Sequence, residues 1–289
     1  MYVRQCTILL FLQLITTRSN VLFFKPFHCF SQLGKGPGPV VHTKFPSSFR
    51  YFPSLALNPK ARTVDTLPFL RLRSALAPSV DTTPALGKIL PIVDTVDWVE
   101  HLSSIEGITD LQLRIKTETD PDIILLCVEK AQAACKLAGV RLWVNDYWEA
   151  AISAKCFGVH LGQEDLAACV ASGGLEKIQK NDLALGISTH SYAELSAALG
   201  LKPTYISLGP VFGTSSKNVA FDPQGIATVL KWRELIAPDI PLVAIGGIGD
   251  PGTAEKVKNA GADCVAVIGA VTKANNVAAA VKQMIDAMK

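Results

Sequence analysis

From Lys88 to the C-terminus one pattern recurs: a short, continuous apolar run, then a stretch of helical periodicity or turn residues. The runs are Ile89–Val93, Asp110–Ile115, Arg141–Val144, Gly158–Leu161, Ala184–Ser188, Tyr205–Leu208, Leu242–Ile245 and Cys264–Ile268. Unbroken apolar runs of this length suit strands buried on both faces, as in parallel sheets. Helical spacing follows at Asp122–Leu137, Tyr147–Ala154, Tyr192–Leu199, Gly225–Ile236, Thr253–Ala260 and Asn276–Met288. In the first of these, Ile123, Leu126, Cys127 and Ala131 are expected on the buried face. Eight strands with intervening helices in about two hundred residues predict an α/β fold, a single (β/α)8 TIM barrel. A doubly wound open sheet is the alternative, because strand count alone does not close a barrel.

Residues 1–80 do not share this pattern. They hold ten Lys/Arg against one acid, Asp65, a formal charge of +9, while residues 81–289 hold 18 basic and 24 acidic residues, a charge of −6. Nine of the 12 Phe also fall in the first 80, so the two parts differ in composition as well as charge. The basic excess belongs to one end of the chain and is no argument for nucleic-acid binding. An apolar run of about ten residues after Arg4 is too short to span a bilayer, so no stable membrane insertion is expected. It has the length and flank of a signal h-region, and the Ser/Thr-rich, acid-poor sequence behind it reads as a transit peptide. The expectation is a disordered or cleaved targeting extension over 1–80 and a barrel over 81–289. The destination expected is an organelle, a plastid reached in two steps, with the mitochondrion as the alternative. The seven cysteines form no C-x-x-C pair, which speaks against a disulfide framework or a zinc site.

A barrel gathers its chemistry on the loops at the carboxyl ends of its strands. Polar residues collect at those ends: Asp94, Gln112-Leu-Arg-Ile-Lys116, Asn145-Asp146, His160 with Gln163–Asp165, Ser188–His190, Thr214–Lys217 and Gly246-Gly247. Gln112, Arg114 and Lys116 alternate onto one face of a strand and form a receptor for a polyanion. The competing reading is an edge strand with snorkelling cations. Asp146 and Asp165 offer two hard oxygen ligands beside that site, a set that suits Mg²⁺. Capping of the following helix is the competing role for each. His160 and His190 line the same ends, but neither has a partner in sequence that marks it as a general base. Gly246-Gly247 and Ile268-Gly269 mark a second anion site, where backbone N–H groups approach a phosphate. Gly209–Lys217 is a glycine- and hydroxyl-rich loop that ends in a cation.

These motifs resemble the thiamine-phosphate synthase family over about Leu90–Met288: QLRIK at 112–116, NDYW at 145–148, GVHLGQEDL at 158–166, GISTH at 186–190, GPVFGTSSK at 209–217 and AIGGI at 244–248. The resemblance implies a transferase of thiamine biosynthesis that joins a hydroxymethylpyrimidine diphosphate to a thiazole phosphate and releases pyrophosphate. It implies that Gln112, Arg114 and Lys116 hold the diphosphate, and that Asn145, Ser188 and Lys217 contact the pyrimidine substrate. Of these, Arg114, Lys116, Ser188 and Lys217 are the expected catalytic set. Asp146 and Asp165 are the expected Mg²⁺ ligands, with Thr214, Ser215, Ser216, Gly247, Ile268 and Gly269 around the thiazole phosphate. Gly269 stands where the family usually has Ser, and Ser216 where Thr is commoner. The implied partners are small molecules, with room for a homodimer. A thiazole tautomerase-like barrel and a non-catalytic phosphate-binding regulator are the alternatives, and the intact diphosphate and metal set weighs against both.

Overall fold

The computed structural model describes residues 86–213 and 222–289. The expected targeting extension, and Thr214, Ser215, Ser216 and Lys217, lie outside the described residues. Eight parallel strands close into a barrel in chain order. They are β1 (Ile89–Val93), β2 (Asp110–Leu113), β3 (Arg141–Asn145), β4 (Gly158–Leu161), β5 (Ala184–Thr189), β6 (Tyr205–Leu208), β7 (Leu242–Ile245) and β8 (Cys264–Val267). Closure comes from β8 returning to β1, with Ile89 opposite Val265 and Pro91 opposite Val267. The open-sheet alternative is thereby removed. So is the edge-strand reading of Gln112–Lys116, since β2 pairs with β1 and β3.

The described helices are α1 (Val96–Ser103), α2 (Pro121–Ala138), α3 (Trp148–Ser153), α4 (Gln163–Ala171), α5 (Gly174–Lys180), α6 (Tyr192–Gly200), α7 (Gly225–Leu235), α8 (Pro251–Asn259), α9 (Gly269–Thr272) and α10 (Val277–Ala287). Helix α2 shows why its ends fall where they do. The Asp120 carboxylate accepts from the Asp122 and Ile123 N–H groups, Pro121 opens the first turn, and Gly139 ends it at φ 70°. Its buried face needs a correction. Ile124, Val128, Ala131 and Cys135 are buried, whereas Ile123 and Leu126 are 45% and 49% exposed. Four consecutive apolar residues, Ile123–Leu126, make either stripe plausible over one turn. Only a longer view decides: the expected stripe meets Lys130 two turns on, and the observed one stays apolar to Cys135. Helices α1, α5 and α9 had no expected counterpart.

Two apolar layers hold the barrel. One lies between strands and helices. The other fills the interior and includes Leu90, Ile92, Trp143, Tyr205, Val243 and Ala266. The Trp143 and Tyr205 rings meet edge-on, 4.9 Å between centroids. Glycines on neighbouring strands make room for them. A Cβ on Gly158 would lie 2.6 Å from the Trp143 ring, and one on Gly186 would lie 2.3 Å from the Tyr205 ring. Beneath them Asp110, fully buried, accepts from the Trp143 indole N–H at 2.9 Å and pairs with Arg141 at 2.6 Å. The lower interior is therefore packed and internally satisfied. Cys135, Cys156, Cys169 and Cys264 are buried thiols, as expected of small core residues.

Candidate active site

Above Trp143 and Tyr205 the barrel opens into a cavity of about 390 Å³. Its walls include Gln112, Arg114, Asn145, His160, Ser188, Gly247, Ile268 and Gly269. The structure thus brings together expected residues from six different strand ends. A neighbouring cavity of about 270 Å³ shares Ile92, Arg114 and Ile268 with it and adds Asp94, Lys116 and Lys273. Arg114 lies between the two, and Lys116 reaches the outer one. Lys116 Nζ pairs with Asp94 at 3.0 Å, and both side chains are about half exposed. Three cations and one carboxylate leave the rim net positive, as an anionic substrate requires.

The two expected metal ligands face each other. Burial, and then the Asp165 charge and hydrogen bond, push the Asp146 carboxyl up to about 6, against the opposing pull of Arg114. Neither group caps a helix. The cap of α3 is Tyr147 and that of α4 is Gly162, both without a side-chain hydrogen bond. Asp146 sits at φ 68°, a left-handed conformation that Asp tolerates better than most residues. Its backbone N–H donates to the His160 carbonyl at 2.9 Å, tying the end of β3 to β4. The Asn145 amide donates to the Asp146 carboxylate, so the two neighbours form one unit. Two carboxylates crowded together and oriented by neighbours are a donor set that a hard divalent cation would relieve. The residues present therefore fit Mg²⁺.

Deeper in the mouth runs a row of hydrogen bonds. Gln112 Nε2 donates to the Tyr205 hydroxyl at 3.3 Å. That hydroxyl lies 2.7 Å from His160 Nδ1, and His160 Nε2 lies 2.8 Å from Ser188 Oγ. Gln163 Nε2 donates to the Ser188 carbonyl at 2.5 Å. His190 is held by Glu194, through its backbone N–H at 2.6 Å and its ring Nδ1 at 3.1 Å. Tyr205 and Lys273 are the members that sequence reasoning missed. The alternation Tyr205-Ile-Ser207-Leu was the available signal for Tyr205: it puts two polar-tipped residues on the inner face of β6. On the opposite wall Gly246 and Gly247 have φ 96° and 68°. A Cβ on Gly247 would lie 2.6 Å from the Gly213 carbonyl, so only glycine brings this loop so close to the Gly209–Gly213 segment.

A closed parallel barrel with its polar side chains gathered at one mouth defines a (β/α)8 enzyme. The thiamine monophosphate synthase family model matches residues 89–271. A thiamine-phosphate synthase of Rhizobium etli is 43% identical over 185 residues, 63% of this chain and 85% of that protein. Another from Salmonella schwarzengrund is 41% identical over 209 residues, 72% of this chain and 95% of that protein. Among solved structures, a thiamine phosphate pyrophosphorylase from Pyrococcus furiosus superposes with a TM-score of 0.59 at 26% identity, covering 70% of this chain and 95% of that one. The chain belongs to the thiamine monophosphate synthase family, transferases of thiamine biosynthesis.

Proposed function

We propose that this chain carries out its family's thiamine-phosphate synthase reaction with Mg²⁺, at the barrel mouth and through the residues named above. A hydroxymethylpyrimidine diphosphate and a thiazole phosphate give thiamine phosphate and pyrophosphate. The observation that carries the reading is a cationic rim and a glycine-lined wall on two adjoining cavities joined by Arg114, with the Asp146–Asp165 pair tied to them through Arg114 and Asn145. Arg114 and Lys116 bind the diphosphate and neutralise charge that builds on the leaving pyrophosphate. Asp146 and Asp165 would hold the metal, which when bound shares in that neutralisation. Asn145 orients Asp146 and meets the pyrimidine, and Ser188 donates to the same substrate. Gly247 and the Ile268–Gly269 backbone receive the thiazole phosphate on the facing wall, so the thiazole nitrogen is aimed at the pyrimidine methylene. Holding two substrates in this way is worth up to roughly 7–11 kcal/mol in well-oriented reactions. No nucleophile from the protein is needed. The Thr-Ser-Ser-Lys sequence at 214–217, which follows β6 in the chain, completes the proposed set.

The same proposal places residues 1–80 as an import tail for a plastid, on the strength of their +9 charge and scarcity of acid. It also takes the working form as a homodimer, since Ile123, Leu126 and Leu137 give α2 an exposed apolar flank that a second copy would cover. Among the described residues no helix is long and apolar enough to cross a membrane. The deciding experiment incubates purified 81–289 with both substrates, with and without millimolar Mg²⁺. Thiamine phosphate and pyrophosphate should form in equal amounts, and only with the metal. Absence of product with metal present overturns the synthase reading.

A further inference from the structure

The row of hydrogen bonds beneath the mouth has a direction, and it is set by a residue to which the reaction gives no role of its own. Tyr205 is fully buried on β6. In the barrel register it lies opposite Gly186 on β5, which in turn lies opposite His160 on β4. A Cβ on Gly186 would come within 2.6 Å of the Tyr205 hydroxyl. Because that place is empty, Tyr205 reaches across β5 and stacks on His160, 5.6 Å between ring centroids at 17°.

The donors then assign themselves. Gln112 Nε2 can only donate, so it uses a lone pair of the Tyr205 oxygen. The Tyr205 O–H is left to donate to His160 Nδ1. Burial, the largest cause, keeps this phenol far above its usual range, so it stays a donor. With Nδ1 accepting, a neutral His160 carries its proton on Nε2 and donates it to Ser188 Oγ. Ser188 therefore keeps its own O–H for the cavity. A diphosphate oxygen is acceptor-only, and an O–H aimed at it is what it requires. The opposite direction would turn the Ser188 proton toward His160 and present lone pairs to an anion.

We propose that Tyr205 is a positioning residue: through His160 it fixes the ring tautomer and turns the Ser188 hydroxyl toward the diphosphate. The proposal rests on the diphosphate reading of this end of the mouth. Its test does not require turnover. In ¹⁵N-labelled full-length protein, His160 is assigned by the loss of its signals in His160→Gln. Its two-bond ¹⁵N–¹H pattern should show the Nε2–H tautomer. Tyr205→Phe should convert this to a mixture of tautomers. It should also weaken binding of inorganic pyrophosphate with Mg²⁺ by about tenfold, the usual effect of one hydrogen bond. Binding of inorganic phosphate at the glycine wall should stay within twofold. An Nδ1–H tautomer in the wild type overturns the proposal, as does a Tyr205→Phe variant with both tautomer and pyrophosphate affinity unchanged. If Tyr205→Phe does not fold, the wild-type tautomer alone decides. If the wild type makes no product yet shows Nε2–H and binds pyrophosphate, the synthase reading fails and the positioning role stands.

Discussion

Asp146 must be ionised to bind a cation, yet its surroundings favour its proton. Burial and Asp165 raise its pKa to about 6, from an ordinary 3.8. The sign follows by linkage. Below about pH 4 the carboxyl is protonated in both folded and unfolded chains and costs nothing. Between pH 4 and 6 the unfolded chain loses the proton while the folded one keeps it, so folded stability falls as pH rises, and above about 6 the deficit is constant. In EDTA, denaturation midpoints of the wild type should decline across this window relative to Asp146→Asn, which has nothing to titrate. A parallel pH profile of the two proteins would refute the assignment. The Mg²⁺ proposed for this site would displace the proton, so its affinity should climb with pH up to about 6 and level off above it. Asp146→Asn should lower turnover by about a hundredfold or more, as removal of preorganised transition-state charge does. Thermal stability should hold or improve, whereas a comparable loss of fold would make Asp146 structural.

At the scale of elements, two substitutions on one helix separate the observed face of α2 from the expected one. Ile124→Ala empties a buried site and should cost about 2–5 kcal/mol. Leu126→Ala removes a half-exposed side chain and should cost well under 1 kcal/mol in the monomer. Urea denaturation of each variant reads the difference, and equal costs would restore the expected face. Inside the barrel, Gly186→Ala should cost about 1–3 kcal/mol, because its methyl group meets the Tyr205 ring. These cases also show what the sequence could and could not disclose. Strand positions were legible because a strand buried on both faces is an unbroken apolar run; β1, β4, β6 and β7 have the expected bounds. The polar strand ends were legible for the same reason, as the places where such runs stop. The α2 face was not, since the four residues Ile123–Leu126 make one turn near its start apolar all round. Helix α5 was missed because it opens on a glycine pair without a side-chain cap. The Tyr205 row was invisible in sequence, because it joins side chains 28 to 93 residues apart through a gap left by one glycine.

At the scale of the whole molecule, the net charge of +3 joins two unlike parts. A barrel of charge −6 that handles two anionic substrates needs its cations concentrated where the substrates bind. Arg114, Lys116 and Lys273 supply that concentration around adjoining cavities. The +9 of residues 1–80 has no part in this focusing if it serves as an address. Two measurements follow from that division of labour. Turnover of 81–289 should match that of the full chain, and its fall with ionic strength should be the same, because the steering charges lie within the barrel. A fluorescent protein carrying residues 1–80 should accumulate in plastids and lose the tail on arrival, which sequencing of the mature N-terminus would show. Mitochondrial accumulation would move the address. A uniformly cytosolic signal, together with a weaker salt dependence in the truncated enzyme, would assign the basic segment to substrate attraction instead.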